Sequence, residues 1–111
     1  METTRQQKIA RQIQRDMSDI LMREAAPLIA GAMVSVTAVR VSPDFALARI
    51  YLSIFPFEKK DVVMSALNDG YRMIRKALGM RIRNQLRIVP ELVFELDDSL
   101  EYIAHIDELL K

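Results

Sequence analysis

With 111 residues, half of them apolar, the chain has material for one core and no second one, and its 28% charged residues come without the low-complexity runs that mark disorder. The absence of cysteine excludes disulfides, thiolate catalysis and cysteine-based zinc sites, and no apolar run approaches the roughly 18 residues of a membrane span. Net charge is only +1, but residues 71–90 hold six basic side chains and no acid, whereas residues 91–111 hold seven acids against Lys111. A single cytoplasmic domain over residues 1–111, with no membrane association, is the expectation.

From Thr3 to about Ala25, apolar residues at Ile9, Ile13, Met17, Ile20 and Leu21 follow steps of three and four, which predicts a helix with one buried stripe. Lys8, Arg11 and Arg15 share a flank away from that stripe. Pro27 and Gly31 end the helix. "VSVTAVRV" over Val34 to Val41 is a β-branched strand whose alternation slips near Ala38, as a bulge would make it. "SPDF" is a turn, with Pro43 preset for its second position and Asp44 able to bond nearby backbone. Ala46 to Ser53 alternates, placing Ala46, Ala48, Ile50 and Leu52 on one face, so a hairpin is predicted.

A second helix starts near Val62 and runs to about Asp69, where Gly70 introduces a kink into a further helix over Tyr71 to Leu86. On that helix Tyr71, Ile74, Ala77, Leu78 and Ile82 form the apolar side, and Arg72, Arg75, Lys76 and Arg83 fall within about 100° of arc on another. Gly79 lies inside the basic arc, where a missing side chain would admit close approach of a phosphate backbone. Arg81 projects toward the apolar side, so the helix is expected to distort or end before it and leave Met80 to Gln85 partly irregular. Arg87 to Leu96 is a strand with Ile88, Leu92, Phe94 and Leu96 on one face, and Pro90, which cannot donate to a ladder, either places it at a sheet edge or stands on its edge-facing side. Asp98 and Glu101 have capping-box spacing ahead of a last helix carrying Leu100, Ile103, Ile106 and Leu110.

Enzymatic chemistry is poorly provided for. The single histidine, His105, could join Glu101 and Asp97 or Asp98 around a metal, but a solvated pair at that spacing is the commoner arrangement. Glu95, Asp97 and Asp98 could be posed as an acid and base pair, yet a strand end leading into a capped helix already explains them. Gly31, Gly70 and Gly79 fit no nucleotide-binding fingerprint. No catalytic residue, metal, cofactor or small-molecule substrate is expected. The basic residues Lys8, Arg11, Arg15, Arg72, Arg75, Lys76, Arg83 and Arg87 make nucleic-acid binding the better reading, through phosphate and shape contacts, since Tyr51 and Tyr71 suit core or rim positions. A protein-interaction adaptor using the open side of the sheet or the acidic last helix is the alternative.

"QRDMSDIL", "VSPDFALARIYLS", "IRKALG" and "LRIVPELVFELDDS", taken in order, make nearly the whole chain similar to the ribosome-binding factor A family of bacterial small-subunit assembly factors. The resemblance implies an α+β, type II KH-like fold of helix, strand, strand, helix, kink, helix, strand and helix. It also implies a monomer that binds the free 30S subunit through its 16S rRNA, assists late maturation and processing of that rRNA, and supports growth in the cold. The family's kink usually carries Ala-x-Gly, and here Gly70, Tyr71 and Arg72 stand in its place.

Overall fold

Thr3 opens the first helix by a reciprocal exchange: its hydroxyl accepts the Gln6 N–H at 3.1 Å, and the Gln6 side-chain oxygen accepts the Thr3 N–H at 2.8 Å. Two donors that a helix start leaves unpaired are thereby satisfied. Helix α1 then spans Thr4–Arg23 in the computed structural model, which describes residues 3–23, 25, 29 and 31–97. Its buried stripe of Ile9, Ile13, Met17, Ile20 and Leu21 matches the predicted spacing. Gln6, only 3% exposed, donates its amide to the Val41 carbonyl at 3.0 Å and fixes the start of α1 against the sheet. Pro27 lies outside the described residues, and Gly31 adopts φ +79°, a backbone region that favours glycine.

Strands β1 (Met33–Val41) and β2 (Leu47–Phe55) form the expected antiparallel hairpin, and β3 (Glu91–Leu96) adds parallel to β2, giving the order β1-β2-β3. The register of β1 shifts between Val36 and Ala38, and this is what keeps β1 useful to the core. Before the shift Val36 faces the helices; one residue of extra chain later Val39 and Val41 do so as well, and all three are buried. Ala48, Ile50, Leu52 and Ile54 from β2 and Leu92 and Phe94 from β3 complete one apolar sheet face, covered by the helices in a single core.

A parallel neighbour needs a crossover, here made by α2 (Lys60–Asp69) and α3 (Tyr71–Ile82). α2 begins two residues before Val62, behind a short 3₁₀ turn at Phe57–Lys59. The two helices meet at Gly70, as predicted. Its N–H donates to the Ala66 carbonyl at 2.9 Å and its carbonyl accepts from Ile74 at 3.1 Å, so the break is confined to one residue.

Two expectations are corrected. α3 does not stop before Arg81 but continues to Ile82, with Leu86 N–H bonding the Ile82 carbonyl at 3.0 Å in the turn that follows. β3 begins at Glu91 and not at Arg87, and Ile88, placed on the apolar face by alternation, is 77% exposed. The reason is local. Arg75 reaches the carbonyls of Val89 and Pro90 at 2.7 and 3.1 Å, and Pro90 has no N–H, so this stretch cannot join a ladder. β3 lies at one edge of the sheet and β1 at the other, and Pro90 stands just before β3, outside its ladder. The proposed last helix, with Asp98, Leu100, Glu101, Ile103, His105, Ile106 and Leu110, lies outside the described residues.

Candidate nucleic-acid interface

Lys8, Arg11 and Arg15 occur at steps of three and four, and α1 sets all three on its exposed flank. Together with Gln12, Gln85 and a fourth cation, Arg5, they line one groove, in which no carboxylate takes part among the described residues. Arg5 escaped the sequence reading, although it stands three residues before Lys8 and so begins the same stripe. Its guanidinium lies 4.8 Å from the centroid of the Phe45 ring, which fixes a flexible side chain against the hairpin turn.

That turn is tightly built. Asp44 Oδ1 accepts the Ser42 hydroxyl at 2.7 Å and the Ala46 N–H at 3.0 Å, as the "SPDF" reading anticipated, and Ser42 Oγ accepts the Leu47 N–H at 2.9 Å. These bonds, the Ser42 hydroxyl first, hold the Asp44 carboxyl below its ordinary range. Gln85, Arg87 and Ile88 pack beside it, so Arg87 joins the α1 flank through the shared neighbours Arg5 and Gln85.

The remaining cations are distributed differently. Arg72, Arg75 and Lys76 line a separate hollow with Tyr71 and Val89 near the start of α3. Arg75 is engaged there with two backbone carbonyls, which makes it a brace for the chain entering β3 before it is anything else. Tyr71 occupies the rim, its hydroxyl accepting the Leu92 N–H at 2.9 Å. Arg83 is exposed in the turn after α3.

Gly79 requires a correction. A β-carbon at this position would stand 2.7 Å from Cγ2 of Val89. The space that would have admitted a phosphate is filled by the chain's own valine, and the glycine serves helix-to-loop packing. Arg81 points neither into the core nor into solvent: its Nη1 meets Asp19 Oδ2 at 2.7 Å, joining α3 to α1. Asp19 also binds Arg23 Nε at 2.8 Å, and the Arg81 hydrogen bond is the chief reason its carboxyl titrates below the usual value.

The carboxylates considered for catalysis have internal partners where they are described. Glu95 pairs with Arg49 at 2.9 Å, and Asp97 accepts the Thr37 hydroxyl at 2.7 Å. Among the described residues no group of three His, Cys, Asp or Glu side chains could hold a metal ion, and no helix is long and apolar enough to cross a membrane. Asp98, Glu101 and His105 lie outside them.

A three-stranded mixed sheet covered on one face by helices, with cations gathered along α1, defines an α+β domain with a basic helical face. The family model for ribosome-binding factor A matches residues 5–110. The chain belongs to the ribosome-binding factor A family. It is 44% identical over 110 residues to the ribosome-binding factor A of Cytophaga hutchinsonii, covering 99% of this chain and 83% of that protein. The crystal structure of ribosome-binding factor A from Thermus thermophilus superposes with a TM-score of 0.69 at 24% identity, over 82% of this chain and 94% of that one. A homology model of the Thermus thermophilus factor, fitted into a cryo-EM map of a 30S-RbfA complex, gives a TM-score of 0.64 at 26% identity, over 80% and 91%.

Proposed function

We propose that this chain binds the immature small ribosomal subunit as a monomer, laying the α1 flank of Arg5, Lys8, Arg11 and Arg15 along 16S rRNA phosphates. In doing so it assists late 30S maturation and 16S rRNA processing without chemistry of its own, and supports growth in the cold. The observation that carries this reading is the groove itself: among the described residues four cations line it, with only glutamines and Ile9 between them. Such a surface suits a polyanion, and side-chain amides add hydrogen bonds to phosphate or sugar. Family membership and the fitting of a relative into a 30S complex support the choice of polyanion.

Crosslinking to immature small subunits, with both nucleotides and protein residues mapped, tests it. Crosslinks from Lys8 and its neighbours to 16S rRNA are expected. Crosslinks confined to proteins, with copurification that survives nuclease and high salt, would favour an adaptor working from the open sheet face, where Met33 and Phe55 are paired across strands and both exposed.

A further inference from the structure

Arg5 and Gln85 line two hollows at once. On one side lies the groove of Lys8, Arg11 and Arg15; on the other is a hollow of about 510 Å³ walled by Asp44, Phe45, Arg87 and Ile88. Its volume falls in the range of sites for small organic groups. Its chemistry is unlike the groove's. Ile88 presents an apolar side chain 77% exposed, and the Arg5 guanidinium stands over the Phe45 ring at 4.8 Å, a cation backed by an aromatic ring that is itself packed against the core.

Phe45 is held at φ 59°, a region that disfavours any residue with a β-carbon, by the turn bonds of Ser42 and Asp44. Its ring is therefore presented by a rigid turn. The Ser42 hydroxyl and the Ala46 N–H both bond Oδ1 of Asp44, and a carboxylate retains further acceptor sites beyond two bonds. A phosphate beside Asp44 would meet like charge, whereas a neutral base would not. Unpaired RNA bases stack on aromatic rings and on arginine planes, and offer amino groups to acceptors.

We propose that this hollow receives one unpaired base of the RNA whose phosphates lie along α1. The base stacks on the exposed Arg5 guanidinium, which the Phe45 ring backs, beside Ile88 and directs an exocyclic amino group to Asp44, while Arg87 meets the adjoining phosphate. The inference rests on the RNA-binding reading above and deepens it.

Binding of purified small subunits and of short single-stranded oligo-A, oligo-C and oligo-U RNAs should be measured across salt. The proteins compared are the wild type, Phe45→Leu, Ile88→Ser, and Arg11→Ala combined with Arg15→Ala. Ile88 is exposed, so its variant keeps the test open if Phe45→Leu unfolds. Phe45→Leu and Ile88→Ser should each weaken oligo-A and subunit binding about fivefold or more without changing the salt slope. Oligo-A and oligo-C, whose bases carry amino groups, should bind more tightly than oligo-U. If these two variants bind as wild type while the arginine variant loses slope, the base site is rejected and the groove stands. If all variants match wild type, both fail. Weakening toward subunits alone, with oligonucleotide binding intact, would assign the hollow to a protein side chain and overturn the proposal.

Discussion

Arg81 on α3 and Asp19 on α1 meet at 2.7 Å across 62 residues of sequence, so the two cation-bearing helices are joined by a charge pair at their contact. Both side chains are about one-third exposed, and such pairs contribute modestly. Arg81→Ala and Asp19→Asn should each lower Tm slightly, and the double variant should lower it by less than the sum. Because the Asp19 carboxyl titrates lower folded than unfolded, its contribution is complete above the unfolded value, about 3.9, and is lost as pH falls through the folded one. Below about pH 4 the wild type should therefore lose Tm more steeply than Asp19→Asn, which thermal unfolding across pH will show.

Gly79 and Val89 form a second coupled pair. Alanine in a helix is favoured over glycine by about 1 kcal/mol, whereas crowding a packed contact costs about 1–3 kcal/mol. Val89 is branched at its β-carbon and turns away poorly from a contact of 2.7 Å. Gly79→Ala alone should be destabilising by up to about 2 kcal/mol, but in a Val89→Ala background it should stabilise by up to about 1 kcal/mol. Denaturant unfolding of the four proteins in this cycle reads the sign directly. The same sign in both backgrounds would refute the packing role.

Arg75 separates structure from binding. Removing its fork from the Val89 and Pro90 carbonyls should cost about 1–2 kcal/mol, and Arg75→Lys should not restore it, because an ammonium cannot reproduce the two-pronged geometry. The salt dependence of subunit binding should stay that of the wild type. Urea unfolding together with binding across salt checks both halves of the expectation.

Legibility in the sequence followed the range of the interactions involved. The α1 stripe, the slip near Ala38, the turn at Asp44 and the kink at Gly70 depend on neighbours within a few residues, and each appeared where spacing placed it. Thr3 and Gln6 also have capping-box spacing, a local signal of the α1 start that the apolar periodicity alone does not carry. Ile88 misled because alternation continues through a segment whose carbonyls are claimed by Arg75 from another element. Gly79 and Arg81 misled for a related reason. A helix projected alone shows neither Val89, which returns from the following loop, nor Asp19, which lies on α1. Of the candidate cations, Lys8, Arg11 and Arg15 were brought into one groove, while Arg72, Arg75 and Lys76 went to another hollow, because position along one helix does not determine what the next element presents.

The α1 groove is the core of the functional proposal, and phosphate contacts have a quantitative signature. Each contact contributes about 0.7 to 0.9 to the slope of log affinity against log salt. Binding to purified small subunits should be measured over a salt series for the wild type and for a folded variant carrying Lys8→Ala, Arg11→Ala and Arg15→Ala. The account predicts weaker binding and a slope shallower by about 2 to 3. Unchanged affinity and slope in that variant would contradict it.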